Sequence, residues 1–278
     1  MNDTSPFGTH SPTGLADTLT TKSNSMPDTW FGRRKAYILR RIAMIILRGK
    51  PVDVERFGAK MRLYPYQNIC EKRILFTPQY FDSRERNYLE SFIANHQGIL
   101  NFIDIGANVG AYSLFAATHT KQEAKILAVE PQPEIFNRLV YNIQQNSQGS
   151  IKAVSCAIAD KKGELTLFLN TENHGQSSVK IVETAQASSI RVPAITLMDL
   201  LEQEDFDKID AIKLDVEGAE DLILEPFFRT APDHLHPRLI IIEDGRNQWQ
   251  TDIPHLLTEK GYILKAQTRL NLIYEKKN

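Results

Sequence analysis

Residues 99–116 constrain the fold more than any other stretch of this chain. The apolar run over 99–105 has the length of a buried strand. It carries one acid, Asp104, near its end, and is followed by Gly106, Asn108 and Gly110 and then by the helical pattern Ser113, Leu114, Phe115, Ala116. A strand, a tight turn and a helix N-terminus make a nucleotide-binding corner. Glycine has no Cβ and lets the backbone approach a ligand closely, and asparagine tolerates the left-handed region almost as well. The spacing is Asp-x-Gly-x-Asn-x-Gly, not the Gly-x-Gly-x-x-Gly of a dinucleotide site. A carboxylate at this turn opposes a pyrophosphate and suits a ligand carrying positive charge, such as the amino group or sulfonium of S-adenosylmethionine (SAM).

From that corner onward strands and helices alternate. Strand patterns fall at 100–105, 126–130, 151–157, 211–215 and 239–243, with helical patterns between most of them. The alternation breaks at 164–169 and 189–195, which read as antiparallel strands flanking a polar loop, 170–176. The last two runs, 262–266 and 271–274, are close enough to pair as a hairpin. Repeated strand–helix units predict an α/β, doubly wound, mostly parallel seven-stranded Rossmann-like sheet over residues 100–278, closed by a C-terminal antiparallel hairpin.

An N-terminal extension precedes it. Residues 1–30 are rich in Ser, Thr, Asn, Asp and Pro and read as a disordered tail that buries too little to offset its ordering entropy. Residues 31–50 hold seven bases (Arg33, Arg34, Lys35, Arg40, Arg41, Arg48 and Lys50) and no acid, interleaved with large apolar side chains. They predict a basic amphipathic helix that either packs its apolar face on the domain or makes peripheral contact with a membrane. Residues 51–99 read as a cap segment with a hairpin within 54–63 and a helix after Ser83 that Gly98 ends.

Four further places carry candidate chemistry. Glu130 ends the second strand twenty residues after Gly110, where an acid accepts from both hydroxyls of a ribose. Ala157, Ile158 and Asp160 follow the third strand, the first two as a wall for adenine and Asp160 as an acceptor for its amine, although Asp-Lys-Lys-Gly is equally a turn sequence. Asp215 and Glu217, in Lys213-Leu-Asp-Val-Glu-Gly-Ala-Glu220, fall at the carboxyl edge of the sheet and are candidate general bases. His174, in the polar loop, is a third candidate base, and Ser177 and Ser178 are placed to close over a cofactor. Glu243 and Asp244 end the fifth strand beside the Asp215 acids; together they offer oxygen ligands for Mg²⁺, but strand-end carboxylates more often bind ligand hydroxyls or cap helices, so no metal is expected.

With these residues in view the chain resembles the FkbM-type SAM-dependent methyltransferases. The pieces that carry the resemblance are Phe102-Ile-Asp-Ile-Gly-Ala-Asn-Val-Gly110, Val129-Glu130-Pro131, the 157–160 turn, Gln176-Ser177-Ser178 and the 212–220 acid cluster, in order over roughly 80–245. The resemblance implies a class I methyltransferase fold, SAM as methyl donor, and methylation of a hydroxyl on a sugar, glycan or natural product. It does not reach residues 1–50. Where such proteins often carry a Tyr-Glu pair, this chain has Phe81-Asp-Ser-Arg-Glu85, so either Asp82 or Glu85 takes that acid's place.

Composition bounds the alternatives. The net charge of −1 selects no nucleic acid. Two cysteines, Cys70 and Cys156, give no disulfide framework or zinc spacing and point to a reducing cytoplasm. No apolar run spans a bilayer and no secretory signal pattern opens the chain. Two other readings stay open: an NAD-dependent oxidoreductase, disfavoured by the glycine spacing, and a non-catalytic relative docking a membrane or partner through residues 31–50. The acceptor and the oligomeric state are not encoded legibly.

Overall fold

The computed structural model describes residues 3–147, 150–169, 177–178 and 188–277. The elements in order begin with α1 (Gly14–Asn24), α2 (Trp30–Leu47), the hairpin β1 (Val52–Arg56) and β2 (Ala59–Leu63), α3 (Ile69–Phe76) and α4 (Ser83–Asn95). The central alternation follows as β3 (Leu100–Ile105), α5 (Ala111–His119), β4 (Ala124–Val129), α6 (Pro133–Gln144) and β5 (Ser150–Val154). A side sheet of β6 (Ala157–Ile158), β7 (Gly163–Leu169), β8 (Ser177–Ser178) and β9 (Ser188–Ile195) comes next. The chain returns through α7 (Leu197–Gln203), β10 (Ala211–Leu214), α8 (Asp221–Thr230), β11 (Leu239–Glu243) and α9 (Ile253–Glu259), and ends in β12 (Tyr262–Gln267) and β13 (Asn271–Lys276).

The main sheet has seven strands in the order β12-β13-β11-β10-β3-β4-β5. Its four inner pairings, from β11 to β5, are parallel, and β13 and β12 are antiparallel to their neighbours. The chain enters at β3, runs outward to β5, then crosses back to β10. The carboxyl ends of β3 and β10 therefore flank the topological switch point, where open α/β sheets bind ligands. Every residue of β3 is buried, as a strand covered on both faces requires. Leu100 and Phe102 join the core on one face and Ile103 and Ile105 the core on the other, following the two-residue side-chain period.

The extension is part of the first core. Met61, Leu63, Ile74, Phe76, Leu89 and Ile93 pack in the same cluster as Phe102 and Phe115. Residues 3–29 differ from the tail their composition suggests. Arg62, 1% exposed, grips Asp53 at 2.6 Å and donates to the carbonyls of Ser5 and Pro6, which straps the N-terminus down. In α1, Ala16, Leu19, Thr20 and Ser23 are buried, and the Ser23 hydroxyl donates to the Phe76 carbonyl at 2.7 Å. Small side chains and local hydroxyl bonds hold this segment, so its sequence shows little hydrophobic patterning. The third expected strand also ends earlier: β5 stops at Val154, and Ala157 and Ile158 pair with β9 in the side sheet. Among the described residues no helix is long and apolar enough to cross a membrane.

Candidate active site

The turn after β3 is held by its own carboxylate. Asp104 Oδ2 accepts from the Ser113 N–H at 3.0 Å and the Ser113 hydroxyl at 2.6 Å, tying strand end to helix start. Burial raises the Asp104 pKa to about 6. Gly106 has φ +78°, and a Cβ there would lie 2.0 Å from the Asp215 carbonyl oxygen, so the turns after β3 and β10 meet at a glycine. Gly110, at φ +91°, starts α5, and its side faces Leu139. Asn108 adopts φ +50°; its Oδ1 accepts from Val109 N–H and from the Asn68 amide at 2.9 Å.

Glu130 meets this turn from the end of β4. One carboxylate oxygen accepts from the Asn108 N–H and the other from the Gln132 N–H, each at 2.9 Å. A carboxylate offers about four acceptor directions, so two N–H groups fix its orientation without exhausting its capacity. Burial outweighs these bonds and raises the Glu130 pKa to about 7.

Across the switch point Lys213, 1% exposed, donates to Asp215 Oδ2 at 3.0 Å and lies 5.4 Å from the Tyr112 ring centroid. Burial alone would lower its pKa, but Asp215, Asp82 and Asp104 hold it above the ordinary lysine value. Glu217 stands at φ +56°. Glu220, the last acid of this run, is spent on structure: it is fully buried, accepts from the Val216 and Gly218 N–H groups and takes the Trp249 indole N–H at 2.8 Å. Glu243 is raised far above the usual carboxylate range, first by burial and then by the charges of Asp215, Glu217 and Glu220.

Asp104, Glu130, Lys213, Asp215, Glu217 and Glu243 line one cleft of about 290 Å³. Of the residues singled out in the sequence, Asp104, Gly106, Asn108, Glu130, Ala157, Ile158, Asp215 and Glu217 line it. Gly110 lies behind it as the start of α5. Asp160 is exposed and outside the lining, because the turn after β6 carries it away from the cleft. His174 lies outside the described residues, and of Ser177 only the backbone, paired with Leu169, is described. Among the described residues no group of three His, Cys, Asp or Glu is arranged to hold a metal ion.

The lining also holds residues the motifs did not flag, Asn68 and Arg73 from α3 and its cap and Leu270 and Asn271 at the final hairpin, together with Phe81 and Asp82 before α4. Asp82 is the acid that reaches the cleft, accepting from the Tyr112 hydroxyl and from Arg73, each at 3.3 Å. Glu85 instead accepts from Thr268 and Asn271 and pins the hairpin to α4. One signal was available for α3: Asn68 and Glu71 have the spacing of a helix N-terminus, and the Asn68 side chain does accept from the Glu71 N–H. Asp82, Asn108 and Glu217 share a further property. All three are non-glycine residues at positive φ lining the cleft, a conformation that costs energy and collects at working sites.

The donor set fits SAM. Carboxylates suit a sulfonium and an ammonium, Glu130 is placed as an acceptor for hydroxyls, and Cys156, Ala157, Ile158 and Leu167 form an apolar slot beside it.

Comparison with known proteins agrees with this geometry. The chain is 30% identical to "Methyltransferase sdnD" of Sordaria araneosa, over 61% of this chain and 76% of that protein. It is 25% identical to "Hexuronic acid methyltransferase AglP" of Haloferax volcanii, over 60% of this chain and 65% of AglP. Its fold is similar to that of the METTL16 MTase domain, with a TM-score of 0.51 at 16% identity over 95% of this chain and 91% of that one. The profile of the Methyltransferase FkbM domain matches residues 104–264, more than half of the sequence, and the chain belongs to the FkbM methyltransferase family.

Proposed function

We propose that the protein transfers the methyl group of SAM to a hydroxyl oxygen of a sugar, glycan or natural product. The observation that carries this reading is the charge of the cleft: Asp82, Asp104, Glu130, Asp215 and Glu217 face Lys213 and Arg73 across it, while Glu243, pushed up to about 9, adds no charge at neutral pH. Such a lining attracts a cationic donor and repels the pyrophosphate of NAD, which disfavours an oxidoreductase. The likeness to AglP, named as a hexuronic acid methyltransferase, supports a sugar-like acceptor.

In this reading the backbone around Gly106 and Asn108 holds the methionine part, Glu130 accepts from the ribose hydroxyls, and Ala157 and Ile158 wall the adenine. The bound cofactor supplies an electrophilic methyl. The chain's own work is to align the acceptor hydroxyl with it and to take its proton as the bond to oxygen forms. Asp215, Glu217 and His174 are the candidate bases, and the first two line the cleft. The free thiols of half-buried Cys70 and buried Cys156 accord with a reducing cytoplasm.

The test is mass spectrometry of a metabolite and glycan pool incubated with isotopically labelled SAM, with calorimetry of SAM and NAD alongside. One labelled methyl on an oxygen is expected, together with SAM binding. NAD binding without SAM binding refutes the reading. Glu217→Gln is expected to bind SAM yet lose turnover; wild-type turnover removes Glu217 as the base.

A further inference from the structure

The methyl-transfer reading leaves α2 without a role, and this helix has an unusual outer face. Its inner face is closed: Gly32, Ala36 and Ala43 are buried. A Cβ at Gly32 would lie 2.1 Å from the Pro27 carbonyl oxygen, so the helix start sits tight against the chain that leads into it. The outer face is apolar and open, with Phe31 78%, Ile38 57%, Ile42 43% and Ile45 77% exposed. At 3.6 residues per turn these four form one stripe. Exposed Arg34 and Arg41 run along one border and exposed Lys35 along the other. Trp30 and Tyr37 stand on the Arg34 side, 61% and 50% exposed, and their rings lie under the guanidiniums of Arg34 and Arg40 at 4.5 and 4.8 Å.

We propose that the outward face of α2 docks on an anionic lipid surface. Residues 29–52 hold seven bases and no acid, although the whole chain carries a net charge of −1. The charge is therefore concentrated on this element, and the occupant it complements is negative. A second copy meeting α2 face to face would set like charges against each other. A nucleic acid would leave the isoleucine stripe in water. A bilayer of acidic lipids satisfies both features: the stripe enters the boundary between headgroups and acyl chains while flanking cations meet phosphates. Trp30 and Tyr37 have the amphipathic rings that favour that depth. Beneath the helix, the Tyr66 hydroxyl donates to the Met44 carbonyl, and α3, which starts three residues on, sends Ile69, Cys70 and Arg73 into the cleft. The docked element is thus joined to one wall of the active site. The inference stands whether or not SAM is the donor.

The test uses the full chain with vesicles of phosphatidylcholine alone and of phosphatidylcholine mixed with phosphatidylglycerol. Cosedimentation is read with intrinsic fluorescence, since Trp30 is one of two tryptophans and Trp249 is bonded to Glu220. Binding to the mixed vesicles with a blue shift is expected, falling with added salt. Arg34→Gln with Arg41→Gln should weaken it roughly fivefold per charge. Ile38→Ser, Ile42→Ser and Ile45→Ser together should abolish the blue shift. All five positions are surface ones, and unchanged circular dichroism and melting temperature confirm that the variants fold. Equal binding to both vesicle types, binding to neither, or a wild-type dimer in light scattering that the triple serine variant dissolves would overturn the proposal.

Discussion

Gly106→Ala, paired with Gly98→Ala, isolates the contact that builds the cleft. The two glycines sit at nearly the same backbone angle, φ +78° and +84°. An alanine therefore pays the same left-handed penalty at either place, about 1–2 kcal/mol, and the same change in unfolded-chain entropy opposes it. Their surroundings differ. Nothing lies within 4 Å of a Cβ at Gly98, whereas at Gly106 it would lie 2.0 Å from the Asp215 carbonyl oxygen and 2.9 Å from its carbon. That oxygen is backbone, so the turn after β10 has to move by more than about 1 Å, an overpacking cost of about 1–3 kcal/mol. Gly106→Ala should be less stable than Gly98→Ala by that amount in urea unfolding, with a melting temperature several degrees lower. Moving Asp215 should also weaken SAM binding in Gly106→Ala alone. Unfolding midpoints that agree within about 0.5 kcal/mol, converted through the common slope, would refute the claim that the two turns touch at this glycine.

Other perturbations test the charges and the strain. Asp104 and Glu130 rise from 3.8 and 4.5 to about 6 and about 7 on folding, so the folded state holds more protons between these limits. Stability should then fall as pH rises from about 4 to 7, and Glu130→Gln should flatten that slope in urea titrations; an unchanged slope refutes the assignment. Affinity for a cationic ligand should rise through about pH 7 as Glu130 ionises. Trp249→Phe removes the indole bond to the buried Glu220 carboxylate and should cost about 1.5–3 kcal/mol in chemical denaturation. Glu217→Gly relieves a residue held at φ +56° and should stabilise the fold by up to about 1 kcal/mol while methyl transfer is lost, separating strain from chemistry.

The parts of the site that could be read from sequence are those built by neighbours in the chain. Asp104, Gly106, Asn108 and Glu130 occupy strand ends and a turn whose geometry follows from strand–turn–helix order, and all four line the cleft. Asn68 and Asn271 could not be found that way. They arrive from elements far apart in sequence, and what brings them together is packing: Asn68 on Asn108, and Glu85 on Asn271. Asp160 shows the opposite error, since its turn sequence fixes a bend but not which way the side chain leaves it. The helix over residues 14–24 was hidden because its buried contacts use Ala, Thr and Ser, residues equally common in segments that never fold.

The buried pairing of Arg138 with Glu71 across the 67 residues that separate them bears on inheritance. Arg138 lies on α6, within the family-matched region that begins at residue 104, while Glu71 lies on α3, before it. Asn68, Cys70, Arg73 and Asp82 belong to that earlier segment and form a wall of the cleft. Residues 104–264 grafted from a relative would therefore meet a foreign wall and, without an arginine at 138, a stranded buried carboxylate. The unit that can be exchanged between such enzymes is larger than the segment by which they are recognised, and a chimera joined at residue 104 should fail in both folding and recognition, whereas one that also carries residues 51–103 keeps the pair and the wall intact.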